Sequence, residues 1–195
     1  MVGTGLVLIL TIGVARPGEV AAPQPEPVGS AEPAQAPTAP LPARRAPEDR
    51  PRLSDMAELT AWSNEVGAAT NLPARLLMGY GRAEMWMRGE RPGCHLSWAT
   101  LAGIGVAEAV REGPLPVPDD VWQEWSARAA TDGGRPDRAD VDDAALTVAR
   151  SLCSTGADLS TARGWWSTIG GAPSLASKAG SIITAANDFA AAAPR

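Results

Sequence analysis

The chain has little from which to build a sheet. Its 195 residues include one tyrosine and one phenylalanine, and valine and isoleucine are sparse beside alanine and leucine. No stretch alternates apolar and polar residues with the period of two that a half-buried strand needs. No run of lysine or arginine marks a basic face, and the net charge is -5. Non-specific nucleic-acid binding needs the opposite field, so the balance argues against that partner. His95 is the only histidine and has no neighbours at metal-ligand spacing, which excludes the common zinc arrangements. G-x-S-x-G serine signatures, phosphate loops and supported cysteine–histidine pairs are absent as well. The polar turn "TDGGRPDRADVDD" lacks the D-x-D-x-D-G spacing and terminal glutamate of a calcium loop. Neither a metal nor a cofactor is expected.

The apolar run from Leu6 to Val14 is shorter than the ~20 residues that cross a bilayer. It has the length of a signal-peptide h-region, and small residues follow it at Gly13-Val14-Ala15 and Val20-Ala21-Ala22. No lysine or arginine precedes it. Residues 1–22 are therefore expected to export the chain, with a short membrane anchor as the alternative. Residues 23–52 are mostly proline, alanine, glutamate and arginine. They carry too little apolar bulk to offset the entropy of ordering, which predicts a disordered linker. Residues 53–195 remain as one foldable domain, about 140 residues and enough for an ordinary core. It is read as a monomer. In an exported domain two cysteines, Cys94 and Cys153, can form one disulfide, two buried free thiols being the alternative.

Within that domain the signals are helical. Ser54-Asp55 can cap a helix to about Ala69, with Met56, Leu59, Trp62 and Val66 at three-to-four spacing. Asn71 caps a second, with Pro73 in its first turn, running to about Arg88. Ser97 caps a third, apolar and glycine-rich, ended by Gly113-Pro114. Asp119 or Asp120 caps a helix carrying Trp122 and Trp125. Asp140 caps "VDDAALTVARSLC", Ser160-Thr161 caps a segment with Trp165 and Trp166, and Ser174 opens a last helix to about Ala192. The fold class is all-α, with six or seven short helices.

The third helix poses the chemical question. From Trp98 to Val110 its only charged residue is Glu108. Desolvation on an apolar wall raises a carboxyl pKa and fits it to donate a proton near neutrality. Glu112, one turn further on, would push the same way, and Gly103 and Gly105 would let a backbone or a substrate come close. The plainer alternative is a helix-end glutamate reaching solvent. Most of the seven tryptophans are expected in the core, with Trp122 and Trp125 as candidates to stack on sugar rings.

The phrases "LPARLLMGYGRAE", "PGCHLSW", "TLAGIG", "VDDAAL" and "ARSLC-STGADLST" occur in an order that resembles the actinobacterial lytic transglycosylases of the lysozyme-like superfamily. The resemblance spans about residues 55–190 and implies a lysozyme-like helical domain. It places the family's acid on Glu108 and its paired cysteines on Cys94 and Cys153. It implies cleavage of the β-1,4 bond between N-acetylmuramic acid and N-acetylglucosamine in peptidoglycan. A single glutamate protonates the leaving oxygen and then takes the proton of the muramic acid's own 6-hydroxyl, giving a 1,6-anhydro sugar. No second carboxylate is needed, unlike two-carboxylate glycosidases.

The chain also departs from the family. The serine after the acid is Ala109. "GPMQFIPSTW" is replaced by "GPLPVPDDVWQEW" at 113–125, and the family's "YN" falls on Ala172 and Pro173. A tyrosine shortly after becomes Lys178. Orienting partners commonly supply orders of magnitude in rate. A second expectation is therefore a degenerate domain that binds glycan, or holds partners at the wall, without cleaving. A third is an exported helical domain with no carbohydrate role.

Overall fold

A computed structural model describes residues 37–47 and 56–194. Residues 1–22, read as a signal peptide or anchor, and most of the expected linker lie outside the described residues. Among the described residues there are seven α-helices and no strand: α1 Met56–Thr70, α2 Ala74–Glu90, α3 Trp98–Ala107, α4 Asp119–Trp125, α5 Val141–Cys153, α6 Ala162–Ile169 and α7 Ala179–Ala192. None is long and apolar enough to cross a membrane.

Local chemistry accounts for three of the helix starts. The Ser97 hydroxyl accepts the Ala99 N–H at 3.2 Å. Asp140 accepts the N–H groups of Asp142 and Asp143, and Thr161 that of Gly164. Each satisfies donors that a helix N-terminus leaves open. Three starts differ from the expected ones. Pro73 rather than Asn71 is the N-cap of α2, with Asn71 at φ 57. Pro118 precedes α4, leaving Asp119 and Asp120 in its first turn. A 3₁₀ turn, Ala176–Lys178, leads into α7.

Helix α3 is the centre of the molecule: every residue from Trp98 to Gly105 is buried. Gly103 faces α7, where a Cβ would stand 2.5 Å from the Ile182 carbonyl oxygen. The missing side chain lets the two helix backbones touch. At Gly105 a Cβ would lie 2.7 Å from the Tyr80 hydroxyl, which occupies that space. The sequence-level reading that these glycines admit a close neighbour is met by α7 and Tyr80. Cys94 and Cys153 form a disulfide, so the free-thiol alternative falls.

Residues 37–47, placed by composition in a disordered linker, are seated on the domain. Trp166 Nε1 donates to the Thr38 carbonyl at 2.8 Å, and Trp98 Nε1 to the Arg44 carbonyl at 2.8 Å. The Arg88 guanidinium donates to the carbonyls of Ala46 and Pro47. Ala46 is buried with the core. The seated unit thus begins well before residue 53. Composition misleads here because the segment supplies carbonyls and small side chains, while the donors come from distant helices.

Candidate functional site

Glu108 stands at the mouth of α3 rather than within it. The expected helix to Gly113 stops at Ala107, with Glu108 as C-cap. The stop is a Schellman closure: Val110 N–H bonds to the Gly105 carbonyl at 2.8 Å and Ala109 N–H to that of Val106 at 3.0 Å, with Ala109 left-handed at φ 57. Glycine usually fills that position. Alanine there hides the stop from the sequence, and the first glycine, Gly113, lies four residues on. An l-residue in this conformation is strained by about 1–2 kcal/mol. Ala109→Gly is expected to raise unfolding stability by about 1 kcal/mol, read from urea midpoints.

Because the helix has ended, Glu112 is not stacked one turn beyond Glu108. It is exposed, on the rim of an open depression of about 840 Å³ that also includes Glu108, Leu115, Pro116 and Arg138. A second groove, about 400 Å³, lies on the other side of Pro116. Its walls are largely apolar, with Ile104, Pro118 and Leu175, and hydroxyls from Ser151, Ser154 and Thr155 face it. Ala172 and Pro173, where the resemblance places "YN", line this groove.

The Glu108 carboxylate is engaged. Lys178 Nζ donates to Oε1 at 2.7 Å, the two side chains being 39% and 18% exposed respectively. Lys178 is the only lysine in the chain. It closes the 3₁₀ turn before α7, and the close α3–α7 packing at Gly103 brings it to the end of α3. The sequence shows Lys178 in the place of a tyrosine but not its partner. A chain with sixteen arginines and one lysine, set where an active-site residue is expected, was the signal available.

A second carboxyl, on α2, is perturbed by burial. Glu84 on α2 is 2% exposed, and desolvation pushes it up from 4.5 to about 7. Its Oε2 accepts the Trp98 N–H at 2.8 Å at the start of α3, and Arg88 stands 3.8 Å from Oε1. Between pH 4.5 and 7 the folded chain holds a proton that the unfolded chain has released. The stability this contributes is full below about 4.5 and is lost as pH rises through about 7. Urea midpoints at pH 5 and pH 8 are expected to differ in that sense, and the difference to shrink in Glu84→Gln.

The two tryptophans proposed for sugar stacking sit apart. Trp122 lies under the Arg138 guanidinium, 5.1 Å from the ring centroid, and Arg138 is ion-paired to Asp119. Trp125 lines a depression of about 280 Å³ with Glu90 and Arg150. Neither lines the Glu108 depression; Arg138 is the link between it and Trp122. His95 is a left-handed loop residue whose Nδ1 is 2.9 Å from Asp158. The aspartates of the 131–143 turn are engaged by the chain itself. Buried Asp143 accepts the N–H groups of Ala129 and Asp137 and pairs with Arg128, while Asp132 takes Arg128 and the Gly134 N–H.

No family model, curated protein or solved structure matches this chain. The functional reading therefore rests on the residues and their geometry, together with the phrase-level resemblance.

Proposed function

We propose that this is an exported cell-wall domain, related to the lytic transglycosylases, that binds peptidoglycan glycan strands without cleaving them efficiently. The observation that carries this choice is the Glu108–Lys178 ion pair. Lys178 Nζ holds Oε1, so that oxygen is turned to the ammonium rather than to a glycosidic oxygen. The 6-hydroxyl step would need the same oxygens, one of which Lys178 occupies. Serine, tyrosine and asparagine partners that would orient a sugar are replaced by Ala109, Ala172 and Pro173. The groove beyond Pro116 has the size of a small-ligand site, and its mixture of apolar wall and hydroxyls suits the two faces of a sugar. Cleavage with Glu108 as acid and base is the second reading, favoured by the lone glutamate in the position that the resemblance assigns to the acid.

The purified protein is to be incubated with intact sacculi, the pellet assayed for bound protein and the supernatant analysed by mass spectrometry. Co-sedimentation is expected for wild type and Glu108→Gln alike, with no 1,6-anhydro-muropeptides above the Glu108→Gln background. Anhydro products that vanish in Glu108→Gln would establish cleavage instead. Failure of both proteins to sediment would reject the glycan reading.

A further inference from the structure

The bonds that seat residues 37–47 recur with a period. Thr38 offers its carbonyl to Trp166, Leu41 its N–H to Asn187 Oδ1 at 2.7 Å, Arg44 its carbonyl to Trp98, and Pro47 its carbonyl to Arg88. These are every third residue, and bonds to the carbonyls of Ala39 and Ala46 lie between them. Burial partly follows the same spacing: Pro40 and Ala43 are half-buried and Ala46 is buried, with Arg44 and Pro47 half-buried beside them, whereas Leu41, Pro42 and Arg45 are exposed. Three residues per turn is the repeat of the polyproline II helix, whose carbonyls point outward without internal partners. The segment "PTAPLPARRAP" has the composition for it, and it forms neither helix nor strand.

We infer that the face formed by Trp98, Trp166, Asn187 and Arg88 is a recognition surface for proline/alanine-rich polyproline II segments, filled here by the chain's own residues 37–47 and open to an equivalent segment presented in trans. The chemistry is that of proline-rich peptide recognition, in which aromatic and polar donors read main-chain carbonyls of a preformed, low-entropy ligand. Four of the donors are side chains that read carbonyls, so the face specifies small residues at every third position and little else. Asn187 clasps the segment from both sides: its Oδ1 takes the Leu41 N–H and its Nδ2 reaches the Ala39 carbonyl at 3.4 Å. The tethered segment competes at high effective concentration, so an outside peptide displaces it from the wild-type face only in large excess, and more readily once the tether's grip is weakened. This inference is independent of the glycan reading, since none of these four donors lines the groove or the Glu108 depression.

The probe is a fluorescent peptide with the sequence of residues 37–47, titrated into the full chain and followed by anisotropy. Ala46→Asp sets a charge in the buried contact and is meant to loosen the native segment. Binding to the Ala46→Asp chain is expected at least tenfold tighter than to wild type. Adding Trp166→Phe and Asn187→Ala, which remove three solvent-accessible hydrogen bonds, is expected to weaken it at least tenfold again. A peptide with its prolines replaced by glycine is expected to bind more weakly. No binding to a folded Ala46→Asp chain, or binding indifferent to Trp166→Phe and Asn187→Ala, would overturn the inference. The wild-type chain supplies the second readout, which stands even where Ala46→Asp fails to fold. A spin-labelled copy of the peptide in excess is expected to broaden the indole N–H signals of Trp98 and Trp166 and to spare that of Trp125. Uniform or absent broadening would equally overturn it.

Discussion

The Cys94→Ser/Cys153→Ser double variant is expected to lose about 4 kcal/mol of unfolding stability. The bridge spans a sequence separation of 59. In the chain-entropy account, a closed loop of about 60 residues restricts the unfolded ensemble by that amount at 25 °C. Both half-cystines are buried. The bridge ties the turn before α3 to the end of α5, and Leu159 N–H adds a bond to the Cys94 carbonyl at 2.8 Å. A domain of this size has only about 5–15 kcal/mol in total, so the loss is a large share. Urea unfolding of the double variant and of wild type with and without reductant measures it. A midpoint unchanged by reductant would show that the loop is already restricted in the unfolded chain.

Gly103→Val is expected to be nearly as damaging, by about 3 kcal/mol, the upper part of the range for overpacking a core. The new Cβ would meet the Ile182 carbonyl at 2.5 Å and the Ala186 nitrogen at 3.2 Å. These are backbone atoms of α7, so no rotamer change relieves the clash, and α3 and α7 must part. Parting them also draws Glu108 from Lys178, because Glu108 caps the end of α3 and Lys178 the start of α7. Thermal unfolding reads the first effect. The second is read by the Lys178 side-chain amine signal, whose chemical shift is expected to move alike on Glu108→Gln and on Gly103→Val. A Gly103→Val protein as stable as wild type would show that α7 can shift freely.

Much of the helical frame was legible because its signals are local. Ser97, Asp140 and Thr161 declare their helices through side chains that bond two or three residues on. The Cys94–Cys153 pairing followed from there being two cysteines and a matching resemblance. What was not legible depends on distant parts of the chain or on a residue acting out of type. Residues 37–47 read as linker because their partners Trp166 and Asn187 lie 128 and 146 residues away. The end of α3 was misplaced because Ala109 holds a conformation that usually belongs to glycine. Glu84 carries no motif of its own, although Leu77, Tyr80 and Glu84 follow helical spacing on one buried face of α2. An acid completing an apolar stripe was the available sign of a buried carboxyl. The site itself was half legible: Glu108 was singled out, but the partner that defines its chemistry comes from a turn 70 residues later.

A chain with one lysine has one side-chain amine. Reagents that acylate amines, which scatter over most proteins, can mark this one only at Lys178 and at the chain's amino terminus. The ion pair with Glu108 then becomes a built-in chemical gauge. A ligand that covers the pair or draws Glu108 away would change the labelling at a single, known position.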